Sequence, residues 1–250
     1  NATASIKTVT VDGFAFADLG STGTDLNALT TLNIANNTKD GDVTVATSSK
    51  TLALNVNNIT SDATTPDYSV VNVGTSVNNL TIGATAKAST FDLTAAALKD
   101  LTINAAVALD ISTNATGYAT ANLKTVDVNG AGKVNLGDLT TAKLNTFDAS
   151  GNTGGVTATI ETATASVGTT FTAYNFSEGN DTVTLNEATV NTKINLGAGN
   201  DKITLASGTT TLAALIDAGI GSDTLAMDVE DAASASNAAT FEANIANFEK

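Results

Sequence analysis

The sequence predicts an all-β fold, a parallel β-solenoid of about ten coils, from two observations. An apolar–polar–apolar triplet recurs ten times, with successive copies 20 to 27 residues apart. The middle residue of most copies is Asn, Asp or Thr, so each triplet has the alternation of a strand with one buried face. A repeat of this length indicates coils that bury their apolar faces by stacking. The copies begin at Val9, Leu32, Leu54, Leu80, Leu101, Val126, Phe147, Tyr174, Ile194 and Ile216.

A second triplet with the same alternation follows each first one and predicts a second strand in every coil. It begins 5 to 17 residues after the first triplet in the early repeats, and eight or nine residues after it from Val126 onward. The copies begin at Phe14, Val43, Val71, Phe91, Leu109, Val134, Val156, Val183, Ile203 and Leu225. A leucine-rich-repeat horseshoe is the competing solenoid, but only residues 26–37 fit its consensus in full, and the return segments are too short and Thr-rich for regular helices.

We expect one domain over residues 1–250, a segment of a longer protein. Residues 1–175 would form irregular coils, with a short helical candidate at Leu93–Lys99, and residues 176–230 would form tighter, more acidic coils. Residues 231–250 would form a helical cap or connection, because Phe241, Ile245 and Phe248 have the spacing of an amphipathic helix. Such a helix would cover the strand edges at the end of the stack.

The composition excludes several classes of function. The net charge is −14, and the cationic residues are eleven scattered lysines, so a nucleic-acid partner is not expected. The chain has no Cys for a disulfide framework and no His. No apolar run approaches the roughly 18 residues of a transmembrane segment. Without His or Arg, a polysaccharide-active solenoid enzyme is disfavoured.

Two pairs of aspartates are expected to share a column on adjacent coils, Asp127 with Asp148 and Asp92 with Asp110. Outward, solvated carboxylates are the simplest interpretation of both pairs. Further cation sites and a catalytic carboxylate pair of the hydrolase type are the alternatives.

Three turns, at residues 176–183, 196–203 and 218–225, share a pattern of glycine followed by an aspartate and an apolar residue. They resemble the calcium-binding nonapeptide of RTX proteins, Gly-Gly-x-Gly-x-Asp-x-apolar-x. Each turn matches at the fourth-position Gly, the Asp and the apolar residue. The first Gly is missing in all three, and Ser177 replaces the second Gly in the first turn. The resemblance implies calcium as the cofactor and a right-handed coil. The candidate ligands are Ser177, Gly179, Asn180, Asp181, Gly197, Gly199, Asn200, Asp201, Gly219, Gly221 and Asp223.

The chemistry of these turns suits calcium independently of the resemblance. Calcium takes six to eight oxygen ligands in irregular geometry, and glycines allow main-chain carbonyls to point inward while each Asp supplies charge. Three stacked turns leave two gaps, so we expect Asp201 to contribute to both, and Asp181 and Asp223 to one each. The alternative is that Gly-Asn-Asp is ordinary tight-turn sequence.

The early repeats, in phrases such as residues 144–156, resemble those of bacterial surface-layer (S-layer) proteins of the type I-secreted, RTX-like calcium-binding kind. The resemblance implies a secreted structural protein of the cell wall surface that self-associates into a calcium-stabilised two-dimensional lattice. Lipopolysaccharide or a surface polysaccharide would be bound through regions outside this segment. An extracellular adhesin stalk or other RTX binding module is the alternative, and a solenoid enzyme is a more distant one.

Overall fold

The computed structural model describes residues 5–13, 16–20, 26–37, 41–60, 68–140, 144–161 and 173–249. This part of the chain is an all-β parallel β-solenoid, which confirms the predicted fold class. Within the described residues, parallel sheets of eleven, seven and four strands run along the stack. Neighbouring strands in each sheet come from successive coils, as stacking of a repeat requires.

The eleven-stranded sheet contains the first triplet of every repeat. Its eleven strands, counted over the described residues, are Thr8–Asp12 (β1), Thr31–Ala35 (β3), Thr51–Asn57 (β5), Asn79–Ala84 (β7), Asp100–Ala105 (β10), Thr125–Gly130 (β12), Thr146–Asn152 (β14), Tyr174–Asn175 (β16), Ile194–Asn195 (β18), Ile216–Asp217 (β20) and Ile245–Ala246 (β22). Leu54, Leu80 and Leu101 are at most 1% exposed and belong to one core cluster. The predicted inward direction of these triplets is therefore confirmed.

The second triplets are divided between the other two sheets. The strands Phe16–Leu19 (β2), Asp42–Val45 (β4), Val70–Asn72 (β6) and Asp92–Thr94 (β9) form the smaller sheet. The strands Ser89–Thr90 (β8), Leu109–Asp110 (β11), Val134–Asp138 (β13), Val156–Ile160 (β15), Thr182–Leu185 (β17), Lys202–Thr204 (β19) and Thr224–Ala226 (β21) form the larger one. The chain passes from one sheet to the other at Phe91, which lies between β8 and β9.

This division corrects one prediction about the acidic pairs. Asp92 pairs with Val70 in the smaller sheet, whereas Asp110 pairs with Thr90 in the larger sheet. Asp92 and Asp110 therefore do not share a column. Asp127 and Asp148 are direct register partners between β12 and β14, as predicted.

The second triplet of the first repeat faces the opposite way from the prediction. Phe16 is 67% exposed, and Phe14 lies outside the described residues. Ala17 and Leu19 pack against the core instead. The alternation begins one residue later than predicted, because the register of β2 against β4 aligns Ala17 with the buried Val43.

The outward polar residues of the triplets connect successive coils through side-chain hydrogen bonds. The amide nitrogen of Asn55 donates to Oδ1 of Asn33 at 2.8 Å, and that of Asn33 donates to Oγ1 of Thr10 at 3.1 Å. Asn195 donates in the same way to Asn175 at 2.7 Å. Stacked Asn side chains of this kind support parallel, in-register strands.

The last segment, residues 231–250, differs from the predicted amphipathic helix. Two short helices occur among its described residues and those just before it, Val229–Ala235 (α1) and Ala239–Glu242 (α2). Ile245 then forms β22 and pairs with Ile216 of β20. The helix ends before Ile245 because the main-chain groups there complete the edge of the sheet. The helical candidate at Leu93–Lys99 is also wrong, since β9 continues to Thr94 and a turn follows. Across the described residues, no helix combines the length and apolar character of a membrane span.

Candidate functional site

The three glycine-rich turns lie at one corner of three successive coils. Each turn follows a strand of the eleven-stranded sheet, β16, β18 or β20, and precedes a strand of the seven-stranded sheet, β17, β19 or β21. Asp181, Asp201 and Asp223 each stand one residue before the second strand. Because these strands pair in parallel without a register shift, the three aspartates form one column along the stack.

Glycine is needed in these turns because the coils approach closely. Gly197 and Gly219 have φ values of 102° and 91°, in the region that favours glycine. A Cβ atom on Gly219 would lie 1.8 Å from the carbonyl oxygen of Gly197, and one on Gly221 would lie 1.5 Å from that of Gly199. The carbonyl oxygens of the second turn therefore face the glycines of the third turn across the gap between coils.

The aspartates of the column bind the main chain of the preceding coil. The Asp181 carboxylate accepts a hydrogen bond from the Val156 N–H at 2.6 Å. The Asp201 carboxylate accepts one from the Asp181 N–H at 2.8 Å, and the Asp223 carboxylate accepts one from the Asp201 N–H at 2.8 Å. Oε2 of Glu249 accepts a hydrogen bond from the Asp223 N–H. One ladder of side-chain to main-chain hydrogen bonds thus crosses four gaps between coils.

The sequence did not predict the two ends of this ladder. Val156 precedes Thr157, and Thr157 pairs with Thr182 of β17, so Val156 occupies the column position that Asp181 occupies in the next coil. Glu249 follows the last strand β22 and has no glycine turn before it. The sequence signal for Glu249 is its place after the apolar Phe248, whose spacing predicts a helix.

The aspartates of the column are buried but are not satisfied equally. Asp181 and Asp201 are each 1% exposed, and Asp223 is 6% exposed. Oδ2 of Asp181 accepts a hydrogen bond from the Ser177 N–H at 2.9 Å, and Oδ1 accepts a second one from Ser177 Oγ at 2.6 Å. Within the described residues, Oδ2 of Asp201 and Oδ2 of Asp223 are buried without any hydrogen-bond partner. Buried polar atoms without partners are costly.

Burial disfavours the charged forms of Asp181 and Asp201. Burial raises the pKa of Asp201 to about 7; the hydrogen bond from the Asp181 N–H opposes this, and the neighbouring charges of Asp181 and Asp223 add to it. Burial raises the pKa of Asp181 to about 6, against the lowering effect of its hydrogen bonds from Ser177 and Val156. Near neutral pH, protons or a compensating positive charge would therefore stabilise Asp181 and Asp201.

The asparagines of the turns lie outside the column. Oδ1 of Asn180 accepts a hydrogen bond from the Asn200 N–H at 2.7 Å, and Oδ1 of Asn200 accepts one from the Ser222 N–H at 2.9 Å. These contacts form a second, exposed ladder beside the buried one. The amide oxygens of Asn180 and Asn200 are thus already bound to the main chain of the next coil.

Among the other acidic candidates, Asp92 also has a buried oxygen, Oδ1, without a hydrogen-bond partner in the described part of the chain, but its register neighbour is Val70 and not a second acid. Asp148 accepts hydrogen bonds from the N–H and the hydroxyl of Ser150 in its own strand, and Asp127 accepts one from the side-chain amide of Asn129 at 2.9 Å. Asp110 lines a groove of about 280 Å³ on the seven-stranded sheet. Its carboxylate accepts hydrogen bonds from Ser112 at 2.6 Å and from Asn135 at 3.2 Å.

The oxygen atoms at this corner are of the kinds that bind a hard cation. It combines carboxylate oxygens that lack a hydrogen-bond donor with main-chain carbonyls of the glycine turns, and oxygen ligands of these two kinds are those that calcium takes. Side chains alone do not complete a site, since no group of three or more His, Cys, Asp or Glu residues converges within the described parts of the chain. Main-chain oxygens and water would have to supply the remaining ligands. Comparisons with family models, curated proteins and solved structures find no match.

Proposed function

We propose that this chain is a structural, non-enzymatic protein of the bacterial cell surface. Its C-terminal coils bind calcium, and the protein self-associates into an S-layer lattice. The observation that carries the proposal is the column of Asp181, Asp201 and Asp223, which is buried and includes carboxylate oxygens without a donor. The resemblance of the turns to RTX nonapeptides and of the early repeats to S-layer repeats supports the same function.

Calcium supplies the positive charge that the column lacks. A buried charge is unfavourable unless it is paired with an opposite charge or coordinates a metal. Residues 176–250 contain eleven acidic residues and three lysines, so lysine cannot balance this region. The residues that would hold the ion are the aspartates of the column together with the carbonyls of Ser177, Gly179, Gly197, Gly199, Gly219 and Gly221. We expect a Kd on the order of 10⁻⁴ to 10⁻³ M, as for extracellular calcium modules.

The shape and charge of the stack support the proposed lattice function. A solenoid presents long, regular faces built from one side chain per coil. With a net charge of −14, two copies of the chain carry like charge, and a divalent cation between them would reduce their repulsion. We propose an extracellular location on the cell surface, with lipopolysaccharide or polysaccharide bound by regions outside this segment.

Electron microscopy of the purified chain with CaCl₂ and with a chelator tests this function. The wild type and the control Glu242→Gln, which removes one exposed charge, should form ordered sheets only with calcium. Asp201→Asn should form fewer sheets at the same calcium concentration. Dispersed rods in calcium would instead support an adhesin stalk. Identical particles with and without calcium would contradict a calcium-dependent lattice.

A further inference from the structure

Three lysines that are far apart in the sequence form a row at one corner of the early coils. The Asn78 N–H donates to the Lys50 carbonyl at 2.9 Å, and the Lys99 N–H donates to the Asn78 carbonyl at 2.8 Å. The Lys124 N–H donates in turn to the Lys99 carbonyl at 2.8 Å. These four residues therefore occupy one position in four successive coils, just before β5, β7, β10 and β12. Lys50, Lys99 and Lys124 are called the lysine row below.

The corner that bears the lysine row is positively charged, although the chain as a whole is acidic. Its four segments, residues 47–51, 75–79, 96–100 and 121–125, contain three lysines and one acidic residue, Asp100, so their net charge is +2. The net charge of the whole chain is −14. A local charge opposite in sign to that of the molecule favours an acidic partner at this corner.

The ammonium groups of the row are available to such a partner. Lys50 and Lys99 are exposed and Lys124 is half-buried, with its ammonium group donating to the Ala121 carbonyl at 2.8 Å. Lys99 and Lys124 belong to neighbouring coils, whose strands lie about 4.8 Å apart. Like charges at this spacing are unfavourable in the isolated chain, and an acidic surface against the row would compensate them.

We propose that the lysine row binds the acidic C-terminal coils of a second copy of this chain. Residues 176–250 contain eleven acidic residues and three lysines, which gives a net charge of −8. Some of these acids are buried in the aspartate column, but others, such as Glu178 and Glu230, are exposed. This inference rests on the proposed self-association and deepens it by naming the two surfaces that meet.

The two surfaces meet between copies and not within one. Lys99 precedes β10, which is three strands from β16 in the eleven-stranded sheet, a distance of about 14 Å along the stack. Lys50 is further away. Because one chain supplies both surfaces, a second copy is favoured over an anionic polysaccharide as the partner. A contact between two different surfaces is heterologous and repeats from copy to copy, as the growth of a lattice requires.

Cross-linking of sheets assembled in CaCl₂ tests the contact directly. A carbodiimide joins lysine ammonium groups to carboxylates that touch them. In an equal mixture of unlabelled and isotope-labelled chain, mass spectrometry separates links between copies from links within one copy. We expect Lys50 and Lys99 to be linked to carboxylates of residues 176–250 in another copy. Lys87, which is exposed between β7 and β8, is the control and should not form these links.

Charge reversal provides a second measurement on the same sheets. The double variant Lys50→Glu/Lys99→Glu changes the net charge of the corner from +2 to −2, so the chain concentration at which sheets appear in CaCl₂ should rise by about tenfold or more. Lys87→Glu/Lys133→Glu changes the total charge equally, at exposed lysines outside the row, and should shift that concentration by about twofold or less. Both double variants should melt near the wild-type temperature, because the replaced side chains are exposed.

The outcomes distinguish this inference from the proposed function. A wild-type chain that forms no sheets in CaCl₂ would overturn both. Wild-type sheets without links from Lys50 or Lys99 to residues 176–250 of another copy would overturn the lysine-row contact alone. Assembly of Lys50→Glu/Lys99→Glu at the wild-type concentration would do the same. If that variant also bound dextran sulfate more weakly than the wild type, the row would be assigned to an anionic polysaccharide instead.

Discussion

The carboxylate of Asp201 accepts a hydrogen bond from the backbone N–H of Asp181 in the preceding coil, with an N···O distance of 2.8 Å. The same contact links Asp223 to the Asp201 N–H. In both contacts a carboxylate oxygen takes the place of a main-chain carbonyl as the acceptor for the N–H. Since each link joins two coils, the stability of one coil depends on the turn of the next, as expected for a one-dimensional stack.

Replacement of Gly219 by Ala tests the close approach of the coils. Gly219→Ala and Gly208→Ala both place a side chain at positive φ, 91° and 88°, at a cost of about 1–2 kcal/mol. Only Gly219 lacks space, because its Cβ would meet the Gly197 carbonyl oxygen at 1.8 Å, whereas that of Gly208 has its nearest neighbour at 3.7 Å. Gly219→Ala should cost about 1–3 kcal/mol more in urea denaturation. Equal losses in the two variants would show that the coils can separate at this corner.

Truncation of the core should destabilise the early coils without affecting calcium. Leu101 is 1% exposed in the eleven-stranded sheet, so Leu101→Ala should lower the free energy of unfolding by about 2–5 kcal/mol. Thr102 is the outward residue of the same strand, and Thr102→Ala should change it by about 0.5 kcal/mol or less. Denaturation with and without calcium checks this prediction. It would be contradicted if the two variants lost similar stability.

Stability in chelator should fall as the pH rises from about 4 to about 7.5. The pKa values of Asp181 and Asp201, about 6 and about 7, lie above the ordinary value of 3.8, so the folded chain binds more protons than the unfolded chain in this range. The free energy of unfolding then decreases with pH. Thermal melts across this range measure the slope.

Asp201→Asn is the matched control for the pH experiment. It removes the carboxylate with the higher pKa, so the decrease in melting temperature with pH should be smaller than in the wild type. A wild-type melting temperature that rises with pH, or equal slopes in both proteins, would contradict the assignment of the titration to this column.

The solenoid was predictable because its signal lies in local alternation. Leu54, Leu80 and Leu101 are buried as their triplets require, and central residues such as Asn33 and Asn55 form the outward ladder. The prediction for Phe16 is wrong because the short strand β2 has apolar residues at both odd and even positions. Its alternation therefore fits either face of the sheet. Only pairing with β4 decides its register.

The two ends of the aspartate ladder could not be predicted from the sequence, because they depend on the register between strands that are distant in the chain. The hydrogen bond from Val156 to Asp181 depends on the register between β15 and β17. The connection between these strands includes residues 162–172, and the length of a connection does not by itself determine the register. Ile245 fitted a helical spacing, but it lies in the eleven-stranded sheet. The inequality of Asp181 and Asp201 depends on the direction of the Ser177 hydroxyl, which a motif cannot specify.

Hydrogen exchange with and without calcium tests the central claim most directly. The claim is that residues 176–230 require a cation because their buried carboxylates lack another source of compensating charge, and a ligand that binds only the folded state stabilises it by mass action. Chelation should therefore accelerate exchange in β17, β19 and β21 first and leave β5, β7 and β10 nearly unchanged. Exchange that is the same with and without calcium throughout the chain would contradict the account.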